Sequence, residues 1–142
     1  MPPLLKNTNK NTRNIMKRKT QIEYPLNPSS SVIIWNAISS TAGLERWFAD
    51  RVTKEGKTYT FRWGKTETRQ AIVVNSRPEF FIRFHWLDDE EAKSYFELKI
   101  HYNELTTDHI LEVTDFAEPG EEEDVRNLWD SQIETLKRVF GV

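Results

Sequence analysis

Residues 79–87 read EFFIRFHWL, with Phe80, Ile82, Phe84 and Trp86 on alternate positions and Phe81, Arg83 and His85 between them. Period-two alternation marks a strand with one buried face. A face this bulky needs neighbours, and two later stretches supply them. SYFELKIHY (94–102) and DHILEVTDF (108–116) alternate in the same way and are joined by short polar connections, which implies an antiparallel meander. Pairing Phe84 with Phe96 sets Ile82 against Leu98, Phe80 against Ile100 and Arg83 against Glu97. Pairing Leu98 with Val113 sets Ile100 against Leu111 and Lys99 against Glu112. Opposite charges facing across strands support both registers. A slip of one residue would turn every apolar side chain to the other face.

Elsewhere the chain is equally patterned. TQIEYPL (20–26) reads as a first strand that stops at Asn27-Pro28. Asn suits a helix N-cap and Pro the first helical position. SSSVIIWNAIS and STAGLERWFAD follow as two short helices, the second burying Leu44, Trp47 and Phe48. TYTFRW (58–63) and TRQAIVVN (68–75) are further strands, set off by turns at Gly56-Lys57 and Gly64-Lys65. The end is a long helix. Glu121, Glu122, Glu123 and Asp124 crowd its first turn, where the helix dipole favours negative charge. Val125, Leu128, Trp129, Gln132, Ile133, Leu136 and Val139/Phe140 recur at helical spacing. Lys137 and Arg138 fill the last turn, and Gly141 suits the C′ position. This helix is the one element with an apolar stripe broad enough to cover the sheet.

Composition narrows the possible functions. The 142 residues suit one domain, and no cysteine is present, which excludes thiol catalysis and thiolate metal sites. No apolar run approaches the roughly 20 residues of a membrane span, and no signal-peptide core is visible. The expectation is a cytoplasmic domain. Residues 1–19 carry +6 and the whole chain −2, leaving −8 on residues 20–142. An acidic body of this kind is a poor nucleic-acid binder. The expected organisation is a basic disordered tail over 1–18 and one domain over 19–142, with Met16 an alternative start.

Two inward polar residues stand out. Asp115 shares the inner face with Leu111 and Val113, and a carboxylate there must be paired, hydrated or neutral. It reads either as a polar anchor at a pocket mouth or, more economically, as a cap for nearby backbone N–H groups. His109 falls inward near Tyr102 at the opposite edge and reads as a hydrogen-bonded rim residue. His85 and His101 are expected to face solvent. Neither a metal site nor a nucleophile elbow is suggested, and no catalytic residue, metal ligand or cofactor is assigned.

The order strand, two short helices, meander and long terminal helix resembles the α+β helix-grip fold of START-like (SRPBCC) proteins. The stretches that carry the likeness are NPSSSVIIWNAISSTAGLERWFAD, FIRFHWLDDEEAKSYFELKI, VTDFAEPGEEED and LWDSQIETLKRVFG. The nearest subgroup is the small bacterial proteins similar to the activator of Hsp90 ATPase homologue. The resemblance implies a curved antiparallel sheet of six to seven strands, a terminal helix across its concave side, and an apolar cavity between them. Ligands of such cavities are lipids, polyketides and other small hydrophobic molecules.

On that basis the expected wall is Phe80, Ile82, Phe84, Trp86, Phe96, Leu98, Ile100, Leu111 and Val113. Trp47, Phe48, Trp129 and Ile133 border it, and Asp115 or His109 lies at its rim. One helix covers a strip only about 10 Å wide, so the middle of the wall is expected to stay partly uncovered, leaving a pocket of a few hundred Å³. A non-enzymatic domain binding an unidentified small hydrophobic molecule is the leading reading. A protein-interaction module or chaperone co-regulator of the Hsp90-activator type is one alternative. A cyclase- or hydratase-like enzyme using Asp115, Tyr102 or His109 is the other, and the separation of Asp115 from His109 counts against it.

Overall fold

The computed structural model describes residues 17–27 and 30–142. The chain forms β1 (Arg18–Pro25), α1 (Ser31–Ser39), α2 (Thr41–Leu44), β2 (Arg51–Glu55), β3 (Thr58–Trp63), β4 (Glu67–Arg77), β5 (Phe81–Trp86), β6 (Phe96–Asn103), β7 (Asp108–Ala117) and α3 (Glu122–Phe140). The strands make one antiparallel seven-stranded sheet in the order β1-β7-β6-β5-β4-β3-β2. Phe84 faces Phe96, Ile82 faces Leu98 and Leu98 faces Val113, so the registers expected from cross-strand chemistry hold. On the outer face Arg83 Nε donates to Glu97 Oε2 at 2.8 Å.

Three boundaries differ from expectation, each for a local reason. Lys17 and Arg18 belong to the fold and not to a tail. Lys17 Nζ pairs with Asp89 at 2.9 Å, and Arg18 opens β1 against Ala117. The rest of the basic segment lies outside the described residues. The cap of α1 is Ser30, whose hydroxyl accepts from Val32 N at 3.1 Å. Asn27 instead donates its N–H to the carbonyl of Val142, and Pro28 lies outside the described residues. Finally, β5 begins at Phe81, because Glu79 takes a positive φ of 68°. Phe80 lies just outside β5, its N–H donating to Arg77 O of β4 and its carbonyl accepting from Ile100 N of β6.

The end of α1 is also the start of α2. Ser40 N donates to Asn36 O, while the Ser40 hydroxyl accepts from Gly43 N at 2.9 Å. Gly43 is required by close approach, since a Cβ there would stand 2.0 Å from Asn36 O. The tight junction turns the chain so that Trp47 and Phe48 enter the concave face. Trp47 Nε1 donates to Ala37 O at 2.7 Å, and Trp63 Nε1 to Phe48 O at 2.8 Å.

Helix α3 lies over β1 and β7. Its acidic first turn and the left-handed Gly141 that ends it follow the sequence pattern. Val125, Trp129, Gln132, Ile133 and Leu136 are buried under it.

Candidate functional site

The concave face has a filled centre and two unlike ends. Phe48, fully buried, is the hub of the centre. Its ring lies 5.0 Å from Phe61, 5.8 Å from Phe96, 6.0 Å from Trp129 and 6.5 Å from Trp86, centroid to centroid. Aromatic pairs at these separations are favourable beyond their buried area. Of the expected wall, Ile82, Phe84, Trp86, Phe96, Leu98, Leu111 and Val113 are all packed core, as are Trp47, Trp129 and Ile133. The expectation that Phe48 only borders the wall and that the middle stays partly uncovered is therefore corrected. The α2 turn drives Phe48 to the middle of the sheet and fills it.

One end is polar and closed. Asp115 reaches inward from β7, its Oδ2 accepting from Trp129 Nε1 and its Oδ1 from Phe116 N, both at 2.7 Å. Burial pushes its carboxyl up to about 6 against these two hydrogen bonds, which pull the other way. Nearby, the Arg69 guanidinium lies 3.9 Å from the Trp86 ring centroid and grips Asp88 through Nε and Nη2 at 2.9 and 2.8 Å. Its Nη1 is buried without a partner. Asp89 receives Lys17 and Ser94. Its burial would raise the carboxyl, but these hydrogen bonds outweigh that and hold it below the ordinary value.

The other end is open. A groove of about 380 Å³ is lined by Ser31, Glu79, Phe80, Ile100, Tyr102 and His109. Its floor is the inner face of β6 and β7, where Tyr102 stands opposite His109 with ring centroids 5.2 Å apart. His109 Nδ1 is buried and has no hydrogen-bond partner. Across the groove, the Ser31 hydroxyl donates to Glu79 Oε1 at 3.1 Å, tying the start of α1 to the β4–β5 turn. Phe80 is 48% exposed, with Arg77 stacked on it at 4.2 Å, and Tyr102 is 56% exposed. Phe80 is thus a rim residue and not part of the packed wall. On the far side of α1 a second groove of about 270 Å³ runs between Trp35, Ser39, Lys54, Tyr59 and Val73.

The separation of the polar groups limits the chemistry. Asp115 and His109 are six residues apart on one strand, which is roughly 20 Å at strand rise. They cannot act on one substrate atom as an acid–base pair. Among the described residues no group of His, Asp and Glu side chains is placed to hold a metal ion. No helix of the described residues is long and apolar enough to cross a membrane. His85 Nδ1 lies 2.8 Å from Ser94 O, and His101 Nε2 lies 3.6 Å from Glu112.

Sequence reasoning singled out His109 and Tyr102 but missed Ser31 and Glu79. The groove role of Glu79 depends on a positive φ at a non-glycine residue, which no pattern announces. A further residue, Gln132, lies wholly buried on the sheet-facing stripe of α3, and neither its Oε1 nor its Nε2 has a partner. Its signal was available, as the one polar member of an apolar helical stripe.

Comparisons with known proteins agree with this architecture. Residues 15–142 match the model of the START-like superfamily domain. A solution structure of a Bacteroides fragilis protein is 56% identical, with 87% of this chain and 90% of that one covered and a TM-score of 0.64. The Aha1 dimer from Colwellia psychrerythraea is 14% identical over 87% of this chain and 96% of that one, with a TM-score of 0.73. CalU16 from Micromonospora echinospora is 15% identical over 87% of this chain and 76% of that one, with a TM-score of 0.67. At such identities the last two show a shared fold. No curated protein matches the sequence. With nearly its whole length matched and the seven-stranded helix-grip architecture in place, the chain belongs to the START-like superfamily.

Proposed function

We propose that this domain is a non-enzymatic binder of a small hydrophobic molecule, working in the cytoplasm, and that the ligand enters at the His109 end. The observation that carries the reading is the open groove of about 380 Å³ over an apolar floor. It combines exposed aromatic surface at Phe80 and Tyr102 with a buried, unpartnered nitrogen on His109. Apolar walls with a few convergent polar groups are the usual make-up of small-molecule sites. The superfamily match supports the same reading. A ligand's apolar body would lie on Phe80, Ile100 and Tyr102, and its polar end would meet His109 or the Glu79 carboxylate.

The test is a fluorescence titration with the neutral probe N-phenyl-1-naphthylamine. Saturable binding with a micromolar Kd is expected, about −8 kcal/mol. Ser31→Phe, which places a ring over the groove, should abolish it while leaving the melting temperature close to that of the parent. Absence of saturable binding, or binding indifferent to Ser31→Phe, would overturn the assignment.

A further inference from the structure

The second groove, of about 270 Å³, lies where the β2–β4 margin of the sheet meets α1. Its floor is apolar, made by Tyr59, Val73 and Ile82, and the half-buried Trp35 of α1 forms a wall. Two cations, Lys54 and Lys57, line it, and no acidic residue does. That is a local inversion of sign on a body that carries −8 over residues 20–142. The His109 groove is the reverse case, with Glu79 in its lining and neither lysine nor arginine.

Local backbone geometry brings these residues together. Lys54 stands opposite Tyr59 on the edge strand β2, with its Nζ 5.2 Å from the Tyr59 ring centroid. Gly56 turns the hairpin at a φ of 60°, and the Lys57 carbonyl accepts from Val73 N at 2.8 Å, which pins the turn to β4. The register of β4 shifts between Val73 and Asn75, and Ser76 then returns to the inner face opposite Ile82. The Tyr59 hydroxyl donates to Ser39 O and the Ser39 hydroxyl to Trp35 O, both at 2.6 Å. Among the described residues neither ammonium has a carboxylate partner, and the Trp35 indole N–H and the Ser76 hydroxyl make no hydrogen bond. All four can donate. An inward lysine on an edge strand guards against foreign strands, which accounts for Lys54. It does not account for the second lysine, the free indole N–H and the bulge that meet in the same hollow. Bulges commonly re-aim side chains beside functional sites.

We infer that this groove is a second ligand site, taking an amphiphilic organic anion: a carboxylate or sulfonate carried on a flat apolar body. The body lies on Val73 and Ile82 against Trp35. The anionic oxygens accept from Lys54 and Lys57 while their open side stays in water, so the charge is paired without being stripped of solvent. A cation meets like charge here, and an anion meets Glu79 at the other groove. The two grooves thus sort small apolar molecules by charge. This second site goes beyond the proposed function and does not rest on it.

The experiment compares two near-isosteric probes, 2-naphthoate and 2-acetylnaphthalene, which differ in an ionised oxygen against a methyl group. Calorimetric titration of the parent protein should show the naphthoate binding about tenfold more tightly, the scale of two partly exposed ion pairs. That preference should fade as salt rises from about 20 mM to about 500 mM. The double variant Lys54→Gln/Lys57→Gln should bind both probes equally and keep the parent's melting temperature, since both lysines are exposed. In ¹⁵N-resolved spectra the naphthoate should move the Trp35 indole N–H and leave the Tyr102 and His109 amides in place. A naphthoate that binds no better than the ketone overturns the inference, as does a preference that survives in the double variant or a shift confined to Tyr102 and His109. Inorganic phosphate moving the Trp35 signal at comparable affinity would overturn it too, because the apolar body would then contribute nothing. The reading of the His109 groove is decided separately, by N-phenyl-1-naphthylamine and Ser31→Phe, so either can fail without the other.

Discussion

At the Asp115 end of the concave face both carboxylate oxygens have partners, Trp129 covers them from the helix, and Phe48, Phe96 and Trp86 pack behind. At the His109 end the same strands β6 and β7 carry an imidazole with a vacant nitrogen and a Tyr102 ring half in solvent. The difference lies in what covers each end. The closed end receives the large residues of the α2 turn and of α3, whereas the open end is faced by Ser31 and the Glu79 turn. The same sheet is therefore a core at one end and a wall at the other. It is the covering elements, more than the strands, that decide which.

The comparison can be broken most forcefully at Trp129. Trp129→Ala removes the fully buried ring and strands the Asp115 carboxylate, so urea denaturation at neutral pH should show a loss of about 5 kcal/mol, the upper end for such truncations. A loss under about 1 kcal/mol would mean the closed end is not closed by this ring.

Phe48→Ala should cost about 3–4 kcal/mol and open a hole in the middle of the domain. Xenon or benzene should then bind to the variant and not to the parent. An unchanged stability would show that the centre is not filled as described.

The pH dependence comes next. The folded-state value of about 6 for Asp115 exceeds its ordinary 3.8, so the folded state binds the proton more tightly than the unfolded chain. Stability from this group is greatest at low pH, declines as pH rises from about 4 to about 6, and is flat above. The full swing is at most about 3 kcal/mol. Asp115→Asn should flatten that part of the pH profile in thermal melts, and persistence of the slope would point to another group.

At the open end effects on stability are small. Tyr102→Ala should lower stability by less than about 1 kcal/mol, since more than half the residue is already in water. Its effect on binding the naphthylamine probe should be the larger of the two, and an equal loss of both would argue that this end is ordinary core. Smallest of all, removal of residues 1–15, which leaves the Lys17–Asp89 pair intact, should shift the melting temperature by no more than a few degrees. Failure to fold would assign those residues to the domain.

Most of the frame was readable from the chain. Alternation fixed the faces of β5, β6 and β7, and opposite charges such as Arg83 and Glu97 fixed their register. The stripe on α3 and its end signals fixed the cover. What could not be read was depth. Nothing in STAGLERWFAD tells that the Ser40 cap and Gly43 bend the chain tightly enough to bring Phe48 over the centre. That placement turns an expected cavity wall into core. Nor does EFFIRFHWL announce that Glu79 turns at positive φ and releases Phe80 to the rim. Both are tertiary outcomes of backbone geometry at single residues. Gln132 was legible as an odd member of its stripe, but its lack of partners emerges only once the neighbours are in place.

The strand order leaves β1 and β2 as the two margins of the sheet, and this bears on how copies of the protein meet. A free margin offers N–H and carbonyl groups to any passing strand, the first step toward runaway association. The β2 margin is only five residues long and carries Arg51, Lys54 and Glu55. Its Val52 N–H is already taken by the Glu45 carboxylate at 3.0 Å. The β1 margin carries Arg18 and Lys19 at one end and closes on Pro25 at the other, which has no N–H to give. A foreign strand therefore meets charge, a missing donor or an occupied one at either side, and concentrated solutions of the protein should resist sheet-to-sheet polymerisation even with one end of its apolar interior open to water.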